Sequence, residues 1–518
     1  MPEVTAAADS VHKAAKGVNR VERVEQDVVV LGSGAAGLAA ALSASSSGAR
    51  VTVLERTAFI GGTSATSTGL VYAPGSAKMK EKGVTEDLDA ALDYLRAVAP
   101  QGLDEARARE FLQRAAEVID FLESHAVPFR PTGLKDYNAG IPGASQSRAV
   151  APESCDPATL GDRAGEIRRS PYRALDNGAE WSGGTALIGH LLRACLRAGV
   201  TVLTKARGTE LVVESGEVTG VVADGVTLTA PGGVILATGG FEYNRDLLDR
   251  YLPKVEAAWS SPENTGDGLR LAEAAGAKLA WTGAAQWYAL LRLHDEDREG
   301  TPKYEDASSA RCLPGSIIVD RHGRRFANEG ANFHDFGRAL AQADLPAWLV
   351  IDQRFLDIYG PRCFGDRPPA KDRWFTAATP AELGELIGVD LADTIARFNV
   401  DAAELHDSQF GRGSTEFDQS WGDGDNQGPA ACLAPLTRPP LQATRVYAGL
   451  SGTNGGPLTD TSGRVLDGAE RPIPGLFAVG NAAATFLGDG APGSGSTLGP
   501  GLVYGYLAGR AAATRTRA

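Results

Sequence analysis

Cysteine is scarce and scattered in this chain. Cys155, Cys195, Cys312, Cys363 and Cys432 lie far apart, and no two stand at C-x-x-C spacing. That excludes a disulfide framework and a thiolate metal site read from spacing, and it points to inert thiols in a reducing compartment. A basic excess is missing too: Lys and Arg total 51 against 64 Asp and Glu, a net charge of −13. With no basic stripe, nucleic acid is not expected as a partner. No apolar run reaches the ~18 residues of a membrane span. The first 25 residues hold no apolar core of a secretory signal, so a cytoplasmic protein is expected. What is present is a 518-residue globular composition, 43% hydrophobic and long enough for two domains.

The organising stretch is residues 27–69. An apolar run over 27–31 predicts a strand buried on both faces of a parallel sheet. Gly32, Gly34 and Gly37 follow as G-x-G-x-x-G. A small-residue helix is expected over 35–46, then a second apolar strand over 50–54, then Glu55. Each glycine has its own reason. Gly32 permits the tight turn, Gly34 lets the backbone approach a pyrophosphate, and Gly37 lets helix and sheet pack closely. The helix N-terminus offers free N–H groups and the positive end of its dipole to phosphates. Glu55 is placed to accept hydrogen bonds from a ribose. Gly62, Thr63, Ser64, Ser67 and Gly69 then supply hydroxyls and backbone N–H groups for a second wall of the phosphate site.

Further along, amphipathic helices are expected over 85–97 and 103–125, with His125 as a C-terminal cap. A loop rich in Gly, Pro and Ser runs over 128–171 and carries Tyr137. Strands broken at Ser215-Gly216 and Asp224-Gly225 read as a meander. An apolar strand over 233–237 then ends on Thr238-Gly239-Gly240. From about 284 to 444 the glycine-rich texture stops, and 315–329 reads as a hairpin around His322-Gly323. The glycine-rich style resumes at 449. The expected fold is α/β: a Rossmann-like dinucleotide domain of parallel sheet, helices and a β-meander over 1–283 and 445–518, interrupted by an α+β cap over 284–444. Substrate is expected between cap and cofactor.

The pieces DVVVLGSGAAG, GGTSATSTG, LPGSIIVDRHGRRFANE, GTNGGPLTD, GLFAVGNAAA and GSGSTLGPGLVYGY occur in an order that resembles the fumarate reductase/3-ketosteroid dehydrogenase superfamily of flavoproteins. The likeness is greatest to the 3-ketosteroid Δ1-dehydrogenase branch. It implies noncovalent FAD. It also implies that Ala237, Thr238, Gly239, Gly240, Asp267, Gly480, Asn481, Ser496, Thr497 and Leu498 line the cofactor. Ala35, Ala36, Arg56, Arg207 and Gly208 complete that expected wall. The implied chemistry is α,β-desaturation of a ring ketone, with the carbonyl oxygen held by donors and the flavin as electron sink.

The resemblance carries over unevenly. Tyr137 matches the family's first tyrosine and Gly495 its oxyanion glycine. The cap tyrosine that acts as base falls on Phe333, and the ketone-gripping tyrosine falls on Ala491. Phenylalanine takes no proton and alanine donates no side-chain hydrogen bond. His334, beside Phe333, has an ordinary pKa near ~6.5, suited to neutral-pH proton transfer. It is either the replacement base or an ordinary cap histidine pointing elsewhere. Tyr288 is expected in the pocket wall, and Asp489 is a further candidate. The histidine of the fumarate reductase branch falls on Gly452, and no matched arginine pair stands out, with Arg338 and Arg311 left open, so a largely apolar ring ketone fits better than a dicarboxylate. Three readings follow: a CH–CH dehydrogenase of a steroid or smaller cyclic ketone, an ene-reductase of an enone, or a flavin-binding protein without catalysis. No motif identifies the electron partner.

Overall fold

Val28, Val29, Val30 and Leu31 form β1 (Val28–Leu31), and all four side chains are buried. A strand apolar on both faces needs cover on both, and the sequence supplies it. In this computed structural model, residues 23–169, 180–298, 300–365 and 369–516 are described. The arm expected over 1–25 lies outside them up to residue 22, and Arg23–Glu25 is a strand parallel to Val226–Thr229. After β1 come α1 (Ala35–Ser46), β2 (Val51–Leu54), β3 (Thr201–Leu203) and β4 (Gly233–Leu236). All four strands are parallel, in the order β4-β1-β2-β3.

Between β3 and β4, Gly208–Glu214, Glu217–Ala223 and Val226–Thr229 form the antiparallel meander. Its turns place Ser215 and Asp224 at positive φ, each followed by a positive-φ glycine, as two-residue hairpins require.

A second sheet begins with β5 (Ala285–Leu291) and continues with β6 (Ser316–Val319). Helix α2 (Phe333–Gln342), β7 (Ala347–Asp352) and the long β8 (Leu441–Thr453) follow. These four strands run antiparallel in the order β5-β8-β7-β6, and Ala257–Ala258 adds a short parallel pairing to β8. β5 and β8, which lead into and out of the stretch between residues 291 and 441, are paired with each other. Gly337 lets α2 lie directly on β5: a Cβ there would stand 2.5 Å from the Tyr288 backbone nitrogen.

The hairpin expected over 315–329 is half present. The turn forms, with Asp320 N–H donating to the Arg324 carbonyl at 2.9 Å. Its second arm is no strand, because Arg325 turns inward. That buried guanidinium bonds Glu329 and, at 2.9 Å from two nitrogens, Asp407. The partner that β6 finds instead is β7.

The chain then returns to the first sheet through β9 (Arg464–Leu466) and β10 (Pro472–Ala478), which extend it beyond β4. The final helix, α3 (Leu498–Arg515), packs on α1. Gly501, Gly505 and Gly509, four residues apart, form the seam. A Cβ on Gly505 would lie 2.4 Å from the Ala36 carbonyl oxygen, and one on Gly509 would lie 2.2 Å from that of Ala40. The fold is thus mixed α/β with several sheets, and the two ends of the sequence meet over one face of the first sheet.

Candidate active site

The glycine turn after β1 is tightly constrained. Gly32 has φ +104°, and a Cβ there would lie 2.3 Å from the Ala237 carbonyl oxygen. A Cβ on Gly37 would lie 2.1 Å from the Gly32 carbonyl oxygen, so Gly37 serves helix–strand packing. Gly34 differs. A Cβ there would meet nothing nearer than Ser64 Oγ at 3.5 Å, and its backbone lines a cavity of about 740 Å³. Here the missing side chain serves no packing contact and leaves the backbone open to the cavity.

Two helices start at this cavity. Gly34 is the N-cap of α1 and Thr497 that of α3, and neither residue caps its helix with its own side chain. Ala35 N–H reaches Ser64 Oγ at 3.2 Å. The remaining N–H groups and the positive ends of two dipoles make a donor set for a phosphate and for a second electron-rich group. A dinucleotide flavin has both.

The far end of this groove carries charge. Glu55 accepts the Ser33 hydroxyl at 2.6 Å on one oxygen and Thr57 N–H at 2.9 Å on the other. Asp267 also lines the cavity, but its carboxylate is taken: Arg207 grips it bidentately at 2.9 Å from each of two nitrogens, with Arg56 at 3.3 Å and Arg270 at 2.5 Å. Burial pushes the Asp267 carboxyl up, the Arg207, Arg56 and Arg270 guanidiniums pull it down, and the arginines win. Asp267 therefore positions Arg56 and Arg207 and presents no free oxygen. Ala36, Gly62, Thr63, Ser67, Gly208, Ala237, Thr238, Gly239, Gly480, Asn481, Ser496 and Leu498 lie along the same wall.

Three of the expected cofactor residues do not line the cavity: Gly37, Gly69 and Gly240. All three are packing glycines. A Cβ on Gly69 would lie 2.4 Å from the Gly183 carbonyl carbon, and one on Gly240 would lie 2.2 Å from Thr453 Oγ1 on β8.

Beyond Ser496–Leu498 the cavity opens into an aromatic chamber of Tyr137, Tyr288, Phe333, Trp259 and Trp421. Phe333 stacks on Tyr288 and meets Tyr137 edge-on at 4.9 Å. Gly495 lines this chamber at φ +83°. Its carbonyl accepts Tyr72 N–H at 3.1 Å, and its own N–H has no acceptor among the described residues. Tyr137 stands beside Ser494. Burial pushes its phenol well above the ordinary tyrosine value, with the Ser494 hydroxyl pulling back weakly, so it is held as a neutral O–H donor.

His334 is not brought to the chamber. Phe333 and His334 open a helix instead of lying in extended chain, and His334 is buried with Nε2 donating to the Asp489 carbonyl at 3.0 Å. Among the described residues its Nδ1 has no partner, and burial lowers its pKa, so the ring is neutral. Asp489 binds the Trp287 indole N–H at 3.0 Å and is no cavity residue either. Ala491 sits behind Tyr137 in a small apolar cluster with Phe417. Arg311 is buried, bonded to backbone carbonyls such as that of Ala331 at 2.8 Å. The chamber residues that sequence reasoning missed are Trp259, Gln286, Asp306, Arg362 and Trp421. They come from five separate segments, and none carries a motif.

Three comparisons agree with this geometry. A family model described as "FAD binding domain" matches residues 27–498. The 4-oxocyclohexanecarboxylate 2-dehydrogenase of Sinomonas cyclohexanicum is 40% identical, over 94% of this chain and 93% of its own. The 3-oxosteroid 1-dehydrogenase of Mycobacterium tuberculosis is 34% identical, over 93% of this chain and 97% of its own. Among solved structures, the 3-ketosteroid delta1-dehydrogenase from Sterolibacterium denitrificans, in complex with 1,4-androstadiene-3,17-dione, superposes with a TM-score of 0.86 at 30% identity, covering 95% of this chain and 99% of that one.

Proposed function

The chain belongs to the FAD binding domain family, and on that premise we propose that it is an FAD-dependent dehydrogenase that introduces a C=C bond next to a ring ketone. The observation that carries this reading is one continuous cavity. It runs from the Gly34 turn to an aromatic chamber lined by Gly495, whose N–H has no acceptor among the described residues. Relatives at 40% and 34% identity are dehydrogenases whose names specify an oxocyclohexane acid and an oxosteroid, so the substrate class is cyclic ketones. The Rossmann-like description of the first sheet, and the division at residues 283 and 444 into a cofactor domain and a cap, belong to this reading.

Bound FAD supplies the two-electron acceptor. The chain supplies the rest. Gly34 and the start of α1, with Ser64, would hold the diphosphate; Glu55, Arg56 and Arg207 would serve the adenosine end, and the start of α3 the flavin ring. Gly495 N–H and the Tyr137 hydroxyl, both in the cavity wall, would donate to the carbonyl oxygen. Two donors there stabilise the developing enolate, which acidifies the neighbouring C–H. Tyr288, Phe333, Trp259 and Trp421 exclude water and set the plane of the ring against the cofactor.

Product analysis tests the proposal. The holoenzyme, given a saturated cyclic ketone and an artificial electron acceptor, is expected to yield the enone, two hydrogens lighter by mass spectrometry. Failure across a panel spanning simple cyclohexanones, their carboxylates and steroids, with FAD bound, would overturn it.

A further inference from the structure

The positions where the family's tyrosines are expected hold Phe333 and Ala491, and His334 does not reach the chamber. A proton acceptor must come from elsewhere, and one acidic side chain lining the cavity keeps an oxygen that no donor reaches among the described residues. Asp306 sits on the two-residue strand Glu305–Asp306, antiparallel to the end of β5 and opposite Leu290. Its Oδ1 is fixed by Ser308 twice, by the N–H at 2.9 Å and the hydroxyl at 2.8 Å. Among the described residues no donor reaches Oδ2. The residue lines the cavity together with Tyr137, Tyr288 and Gly495.

We propose that Asp306 is the catalytic base of the dehydrogenation, taking the α-proton on Oδ2 while Ser308 holds Oδ1 still. This rests on the cyclic-ketone reading above. The electron balance is simple. The α-C–H bond breaks and its proton goes to Asp306, forming the carboxylic acid. The electron pair of that bond becomes the new C=C bond as hydride leaves the β-carbon for the oxidised flavin, which gains two electrons. The acid then returns its proton to solvent.

The electrostatic setting is consistent with this assignment. Burial raises the Asp306 carboxyl above the ordinary aspartate value, which makes it a stronger base than an exposed aspartate. The charged groups around it are Arg311, which opposes that rise, and Glu305, which adds to it and is itself paired with Lys303 at 3.2 Å. The charge of Asp306 in turn helps raise the Tyr137 phenol, so base and carbonyl donor act on each other across the chamber.

The test separates proton removal from hydride transfer. With the flavin held reduced under anaerobic conditions, no hydride can be accepted, yet a base still exchanges the α-hydrogens of cyclohexanone in D₂O, read by proton NMR. Asp306→Asn is expected to retain FAD, lose exchange above the buffer background, and reduce its flavin with ketone about 10²–10⁴-fold more slowly than the parent enzyme. An Asp306→Asn variant that exchanges and reduces its flavin at parental rates would overturn the proposal while leaving the cyclic-ketone reading intact. Absence of flavin reduction by any ketone in the parent enzyme removes that reading first. Should Asp306→Asn lose FAD, the pH profile of flavin reduction in the parent enzyme decides. An acid limb with a plateau by neutral pH supports Asp306, and a rate still climbing toward the tyrosine range near ~10 contradicts it.

Discussion

Phe333 lies flat on Tyr288, ring centroids 4.7 Å apart and planes 18° from parallel. Helix α2 carries the first ring and β5 the second, and the contact is possible because Gly337 lets the helix rest on the strand. The pair forms one wall of the chamber, and a hydroxyl at the Phe333 position is replaced by aromatic surface. Phe333→Ala is expected to raise KM for a cyclic ketone by roughly tenfold, with a smaller change in kcat and FAD content unchanged. That corresponds to about 1.4 kcal/mol of lost packing, within the range of an aromatic pair. Steady-state kinetics check it.

His334 is expected to matter for stability and little for turnover. His334→Ala should keep FAD and stay within severalfold of parental kcat. The pH dependence has a definite sign. Burial lowers the folded-state pKa below the ordinary 6.5. The unfolded chain therefore takes up a proton that the folded chain refuses, and stability falls as pH drops below about 6.5. Denaturant unfolding at neutral and mildly acidic pH should show a shallower pH slope in His334→Gln than in the parent.

Glu242 offers the opposite sign. It is buried, its Oε1 accepts Asn264 Nδ2 at 3.0 Å, and Oε2 has no partner among the described residues. Burial pushes its carboxyl up to about 7 from an ordinary 4.5. The folded chain keeps the proton that the unfolded chain releases, so stability is lost as pH rises from about 4.5 through 7. Glu242→Gln is expected to raise the Tm at pH values above 7 and to change it little near pH 4.5, measured by thermal melts across that range.

Gly34 and Gly37 separate cofactor approach from folding. Gly34→Val is expected to give soluble protein of near-parental helix content with FAD affinity reduced at least tenfold. A side chain at Gly37 meets backbone at 2.1 Å, so even Gly37→Ala should lower stability by roughly 1–3 kcal/mol. Flavin titration and denaturant unfolding of both variants check the contrast.

The glycine turn that lines the cavity was legible in the sequence because local chain geometry sets it. The G-x-G-x-x-G turn fixes Gly32, Gly34 and Gly37 to distinct tasks within a few residues. The meander turns were equally legible, since Ser215-Gly216 and Asp224-Gly225 state the required φ. The chamber was less so. Whether His334 faces substrate depends on its lying in a helix start and not in extended chain, and that follows from Asn332 accepting Asp335 N–H at 2.9 Å. Asp306 lies in no pattern: it reaches the chamber because its short strand pairs with β5, a contact set by tertiary packing. The missing second arm of the hairpin has the same origin, for Arg325 prefers a buried carboxylate from Asp407, more than eighty residues away in sequence.

The central claim is that this cavity holds FAD against a cyclic ketone. Its most direct measurement is the visible absorbance of the purified holoenzyme mixed anaerobically with a saturated cyclic ketone. The account predicts a yellow protein whose flavin band bleaches at a rate that saturates with ketone, with one enone formed per flavin reduced. A protein that carries FAD and keeps its full colour with every ring ketone offered, or one whose cavity takes up no FAD, would contradict it.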